Sequence, residues 1–179
     1  MAVAHRRGQE ILGTRRLVEA GVDVLTTSLS GPLCGRVGNW DDHAVNAHVF
    51  NGLRYRCWAY DQAVTALIED IHARGLAKRV MVVVTGEFGR TPRMNGHAGR
   101  DHWSDCFSVL LAGGGLQGGR VIGASEKWGG GVRDRLVTPL DLLATIYHTL
   151  GVPLDTHYED ASGRPVSIVG GGQVIHELL

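Results

Sequence analysis

The chain lacks most of the features that mark a specialised architecture. Its three cysteines, Cys34, Cys57 and Cys106, are isolated and odd in number. They offer neither a CxxC metal pair nor a disulfide framework, and read as buried or half-buried free thiols. No apolar run is long enough to span a bilayer, so a membrane-spanning helix is excluded. Charge of one sign is also missing: Lys+Arg and Asp+Glu are both 18, a formal net charge of +0. Nothing in that balance argues for nucleic acid or an anionic membrane surface. The glycine runs Gly113-Gly114-Gly115 and Gly118-Gly119 are followed by no P-loop Lys-Ser/Thr, and no GxGxxG opens a helix, so nucleotide binding is not expected. Ser28, Ser30, Thr85 and Thr91 fall near predicted strand ends, but none sits in a Gly-x-Ser-x-Gly elbow. No nucleophile can be assigned. The N-terminus carries Arg6 and Arg7 without an apolar segment behind them, which is not a secretory signal as it stands and on that ground alone reads as cytoplasmic.

What is present is globular. With 179 residues, 44% hydrophobic and 20% charged, the chain is long enough for one domain over residues 1–179 with a real core. The 26 glycines, about twice the usual ~7%, imply many tight turns or close approaches. Gln9 to Ala20 predicts a helix ended by Gly21, and Val22 to Thr27 a strand. Ser30 to His43 is loop, with Pro32, Gly35 and Gly38. A long helix is expected over roughly Ala47 to Arg74, with Leu53, Cys57, Tyr60, Val64, Leu67, Ile68 and Ile71 on one side. Arg79 to Thr85 and Cys106 to Ala112 read as strands, the valine run of the first as one buried on both faces. Gly118 to Gly123 reads as a short edge strand or turn, and Thr138 to Leu150 as a helix with Thr at the N-cap and Pro at the first position. The tail from Val152 reads as an irregular strap. This alternation predicts an α/β fold, a layered, mainly parallel sheet flanked by helices.

Chemistry concentrates at strand ends, where open α/β sheets place their ligands. Asp41 and His43, spaced i, i+2 in Trp40-Asp41-Asp42-His43, can offer a carboxylate and an imidazole to one cation, with Asp42 pointing elsewhere. The same spacing also suits an Asx turn beside a surface histidine. Glu87 follows the valine strand and needs a metal or a partner if it is buried; Arg90 is one candidate partner. Asp101-His102 adds a second acid/imidazole pair. Oxygen and nitrogen donors of this kind suit Zn²⁺ or Mn²⁺, with Mg²⁺ or Ca²⁺ preferred as oxygen dominates. Arg90, Arg93 and Arg100 crowd one loop, and either clamp a phosphate or sulfate or neutralise the carboxylates. Phe88 and Trp103 read as packing groups.

Several stretches are similar to the DUF1501 family of proteins of unknown function, found in bacteria. They are Arg15 to Val22, Trp40-Asp41-Asp42-His43, Glu87-Phe88-Gly89-Arg90-Thr91-Pro92, Gly99-Arg100-Asp101-His102-Trp103, Leu111 to Gly115, Gly119 to Gly123 and Thr138 to Thr145. The order of ligand motifs more faintly resembles the alkaline phosphatase/arylsulfatase superfamily. The resemblance implies a sulfatase-like, metal-assisted hydrolase acting on small sulfate or phosphate esters. It makes Asp41 and His43 one metal pair, Glu87 a strand-end ligand, His102 a later histidine ligand, and Asp101 a ligand or orienter. Arg90 and Arg100 would hold the anion. Where sulfatase-like enzymes show histidine after the strand-end acid, this chain has Phe88. Family members are longer and often exported, so the resemblance also implies that this is a C-terminal half truncated at its N-terminus. Its partner would then be a second copy of the chain or a separate N-terminal half. The alternative function is a catalytically inert binding or assembly module with the same fold.

Overall fold

A computed structural model of the chain describes residues 2–29, 40–43 and 48–179. The expected loop over Ser30 to Asn39, Cys34 within it, and the expected helix start at Ala47 lie outside the described residues. Helix α1 (Ala2–Glu19) ends at the expected glycine, Gly21, whose φ of +95° is open to a residue without Cβ. It packs against the long helix α2 (Val49–Ala73). Ile11 of α1 and Ile71 of α2 are both buried. Arg15 of α1, itself 8% exposed, reaches Asp70 of α2 at 2.9 Å and also pairs with Glu19.

The buried arc of α2 is Val49, Gly52, Arg56, Ala59, Ala63, Val64 and Ile71. Val64 and Ile71 of the expected stripe lie in this arc, while Leu53, Tyr60, Leu67 and Ile68 are half-buried and Cys57 is exposed. Three of the seven inward residues, Gly52, Ala59 and Ala63, are glycine or alanine, and a stripe read from large apolar residues alone misses them.

The sheet also differs from the expectation. Strand β1 (Met81–Val84) pairs antiparallel with β4 (Leu110–Gly113), Met81 opposite Gly113 and Val84 opposite Leu110. Between them lie two short strands, β2 (Gly89–Arg90) and β3 (His102–Trp103), which pair only with each other. Parallel neighbours need a long crossover, usually a helix, and none intervenes between β1 and β4. Their residues are half-buried rather than sealed on both faces. Among the described residues, all strand pairing is antiparallel and two-stranded. Residues 22–27 form no strand: Val24 is 71% exposed and has no ladder partner among the described residues. The Gly118 to Gly123 stretch is irregular, with Val121 exposed, and leads into the pair β5 (Ala124–Ser125) and β6 (Val132–Asp134).

The run Gly113-Gly114-Gly115 is a structural turn. All three residues have positive φ, and a Cβ on Gly113 would run into the carbonyl of Val80. Two of its amides are used on that same strand entrance, Gly114 on Val80 and Gly115 on Ala77. Helix α3 (Pro139–Thr149) starts as the sequence predicts: Thr138 caps it, Asp141 completes the reciprocal capping box, and Pro139 follows the cap. The tail is more regular than expected, forming a hairpin of β7 (His157–Glu159) and β8 (Pro165–Ser167) and a final 3₁₀ turn, His176–Leu178. It is tied to α3 through Thr145, a fully buried residue whose hydroxyl donates to the Asp141 carbonyl (2.7 Å) and accepts from Ile175 N–H (3.0 Å). No helix among the described residues is long and apolar enough to cross a membrane. The described residues thus mix helices with short antiparallel strand pairs, and the β2–β3 pair meets the Trp40–His43 segment through Arg90 and His102.

Candidate metal centre

The site begins with the β2–β3 pair. Arg90 and His102 are register partners, so their side chains leave the same face of the ribbon. Both reach Asp41: the Arg90 guanidinium donates to its Oδ1 at 2.7 Å, and His102 Nε2 lies 2.7 Å from the same oxygen. His43 Nδ1 is 2.8 Å away from it as well. The His102 ring, then the Arg90 guanidinium, then the His43 ring hold the Asp41 carboxyl well below the usual carboxylate range. An ionised carboxylate only accepts, so both facing ring nitrogens carry their protons in this arrangement. The two imidazoles meet edge to face, 5.1 Å between centroids. Phe88 packs on the other side of His102 at 4.4 Å, with Arg90 above its ring. Phe88 is therefore a packing group, one that backs a candidate ligand.

The Trp40–His43 segment has no regular structure and is held from outside. The Arg90 guanidinium donates to the Trp40 carbonyl (3.2 Å) and to the Arg100 carbonyl (3.3 Å). Arg100 N–H donates to the Asp42 carbonyl at 2.8 Å, and Asn95 Nδ2 donates to the His43 carbonyl and to Asp101 Oδ1. Asp42 turns away from its neighbours and pairs with Arg56 of α2. Arg56 also lies over the Trp40 ring, which meets Tyr60 edge-on. Burial pulls the Arg56 guanidinium below its ordinary pKa.

Of the sequence-derived candidates, the structure brings three together: Asp41, His43 and His102 offer donor atoms within 4.8 Å of one another. Arg90 joins them as a charge partner. Glu87 is exposed and stands outside the group. Its carboxylate is solvated and needs neither metal nor Arg90, whose partner is Asp41 instead. Asp101 also stands outside. Adjacent strand residues point to opposite faces, so His102 faces Asp41 while Asp101 faces Asn95. Arg100 braces the loop: its guanidinium donates to the carbonyls of Thr91 and Arg90. The residues not picked out from sequence are Arg56 and Asn95. Arg56 left a signal, since a charged residue four positions from Gly52 and three from Ala59 interrupts a small-residue face.

The donor set fits a metal ion. One carboxylate oxygen and two imidazole nitrogens are ordinary Zn²⁺ donors, and bond lengths of about 2.0–2.1 Å put tetrahedral donors roughly 3.4 Å apart. The donor atoms lie within 4.8 Å of one another, 2.7 and 2.8 Å separating Asp41 Oδ1 from the two ring nitrogens, and an ion would need those nitrogens free of their protons. Three protein donors leave a fourth position open, the pattern of catalytic rather than structural sites.

The fold and site define a mixed α/β protein with an exposed Asp/His/His ligand set and an arginine beside the carboxylate. The family model for DUF1501, proteins of unknown function, matches residues 2–179, and the chain belongs to that family. Neither the curated proteins nor the solved structures yield a match.

Proposed function

We propose that the chain binds one divalent ion through Asp41, His43 and His102, and that this centre serves hydrolysis of small sulfate or phosphate esters. The observation that carries the reading is the convergence of both histidines, from separate segments, on one carboxylate oxygen. With two nitrogens among three donors, Zn²⁺ or Mn²⁺ is favoured over Ca²⁺ or Mg²⁺. The bound ion would act as a Lewis acid toward an ester oxygen at the open position. Arg90, 2.7 Å from Asp41 Oδ1, would bring a fixed positive charge to an anionic group. The sulfatase-like reading rests on motif order around Asp41, His43 and His102, and Glu87, Asp101 and Arg100 enter it only as supports of the loop or as ligands of a rearranged site.

A second reading, a binding or assembly module that keeps the metal without turnover, is favoured by the surface. Phe50, Tyr55 and Trp58 lie exposed on α2. Its partner would be a second copy of the chain.

Metal content by mass spectrometry after reconstitution with Zn²⁺ and desalting tests the centre. About one ion per chain in the wild type and none in His102→Ala is expected. A wild type that emerges metal-free from both Zn²⁺ and Mn²⁺ would sink the reading. Turnover of aryl sulfate or aryl phosphate by the loaded protein, lost in His102→Ala, separates the hydrolase from the assembly module.

A further inference from the structure

Two of the three donors, Asp41 and His43, sit on a segment without secondary structure, so their places are set by its outside contacts, among them those of the residue between them. That residue is Asp42. Its carboxylate pairs with Arg56, which is 2% exposed and fixed on the rigid helix α2. Its carbonyl accepts from Arg100 N–H on the opposite side. Two glycines make this grip sterically feasible. A Cβ on Gly52, one turn before Arg56, would lie 3.1 Å from the Asp42 carboxylate and run into the Arg56 guanidinium. A Cβ on Gly99 would stand 2.6 Å from the carbonyl oxygens of both Asp42 and His43, closer than real Cβ contacts come. The segment is therefore pinched between α2 and the 95–100 loop, with Arg56 and Gly99 at the two faces.

We infer that Arg56 is a positioning residue for the metal centre, its buried guanidinium anchoring Asp42 so that Asp41 and His43 meet His102 at ligand spacing. This rests on the proposed metal-binding reading and adds to it the element that sets affinity. The planar fork matters, because it can meet Asp42 while lying over the Trp40 ring, a pairing that a lysine ammonium cannot reproduce. Asp42 sits between the two ligands in sequence, so freeing its carboxylate leaves the segment held only by Arg90, Asn95 and the Arg100 amide. Groups that orient ligands from behind typically change metal affinity by about 10–100-fold when removed.

The test compares Zn²⁺ affinity, by competition with a chromophoric chelator, and the visible spectrum of the Co²⁺-loaded protein. Arg56→Met is expected to weaken Zn²⁺ binding by about 10–100-fold and to shift the Co²⁺ bands. Arg56→Lys, which keeps the charge and is the safer variant for folding, should weaken it less. Gly99→Ala, pressing on the same segment from the other face, should act in the same direction. Arg15→Met removes a comparably buried arginine that also pairs with an α2-linked acid network, Asp70 and Glu19, far along the helix from Asp42; it should leave both readouts unchanged. The inference is overturned if the wild type binds Zn²⁺ and the Arg56 and Gly99 variants bind within twofold of it. It is equally overturned if Arg15→Met weakens binding as much as Arg56→Met, since the effect would then be general loosening. A wild type that binds no Zn²⁺ would instead remove the metal centre itself, and the positioning role with it.

Discussion

Thr145→Val replaces the one fully buried side chain of α3 that carries a hydroxyl with a near-isostere, so shape is kept and two hydrogen bonds are lost. The Asp141 carbonyl loses a donor at 2.7 Å, and the Ile175 N–H loses its acceptor at 3.0 Å. Ile175 is 3% exposed, so water cannot replace that acceptor. A buried donor left unmade costs about 1–3 kcal/mol, and the second bond adds about 1 kcal/mol. The expected loss is roughly 2–4 kcal/mol, or about 4–16 °C in Tm for a chain of this size. Thr145→Ser keeps both bonds and gives up one methyl, with an expected cost of about 1 kcal/mol. Thermal unfolding followed by circular dichroism should therefore rank wild type, Ser, Val in falling order. Hydrogen exchange should show the Ile175 amide losing protection in Val alone. A Ser variant as unstable as Val would refute the reasoning, because it would make methyl packing, rather than the hydroxyl bridge, the link between α3 and the tail.

Other consequences can be read at the same bench. Zn²⁺ at about a hundred times its Kd should add about 2.7 kcal/mol to stability, raising the wild-type Tm and leaving that of His102→Ala unmoved. Thr138→Ala removes the cap of α3 and should cost about 1 kcal/mol, seen as a Tm lower by about 2–4 °C. Ile71→Ala empties a site that is 3% exposed where α2 is packed, and chemical denaturation should show a loss of about 2–5 kcal/mol. The Arg135 guanidinium holds Glu177 down to about 2 from its ordinary 4.5. A depressed acid contributes stability that is present above its unfolded value and lost as pH falls through the folded one. Stability should thus fall between about pH 4.5 and 2, and Glu177→Gln should flatten that part of the profile.

The parts of this chain legible from sequence are those decided within a few residues. The α3 start is fixed by Thr138, Pro139 and Asp141 acting on one turn, and it lies where the local pattern puts it. The stops at Gly21 and Gly75 follow from backbone that only glycine enters easily. The sheet was not legible for the opposite reason. Pairing partners are chosen at long range, and Val80 to Val84 reads alike whether its neighbour runs parallel or antiparallel. What decided the matter was the absence of a helical crossover between residues 85 and 109. Val22 to Thr27 shows the same limit: a β-prone stretch is a strand only where a partner meets it, and Val24 meets none among the described residues.

The site divides along the same line. Asp41 and His43 converge because an i, i+2 spacing in a turn can bring both side chains to one side, and that much is local. That His102 joins them while Asp101 and Glu87 do not depends on the pairing of Gly89 with Trp103 and of Arg90 with His102. Slipping that ribbon by one residue would put Asp101 opposite Arg90 and turn His102 away, so a two-residue strand pair decides which of two adjacent ligand candidates faces Asp41. The glycine at 89 allows the close pairing: a Cβ there would stand 3.0 Å from the Trp103 carbonyl and closer still to that of Cys106. Gly89→Ala should accordingly disturb the register and, with it, His102. The expected result is loss of Zn²⁺ retention in a protein whose helical circular dichroism is intact, because α1, α2 and α3 make no use of that contact. Retention of full metal binding by Gly89→Ala would mean that His102 is placed by something other than its strand.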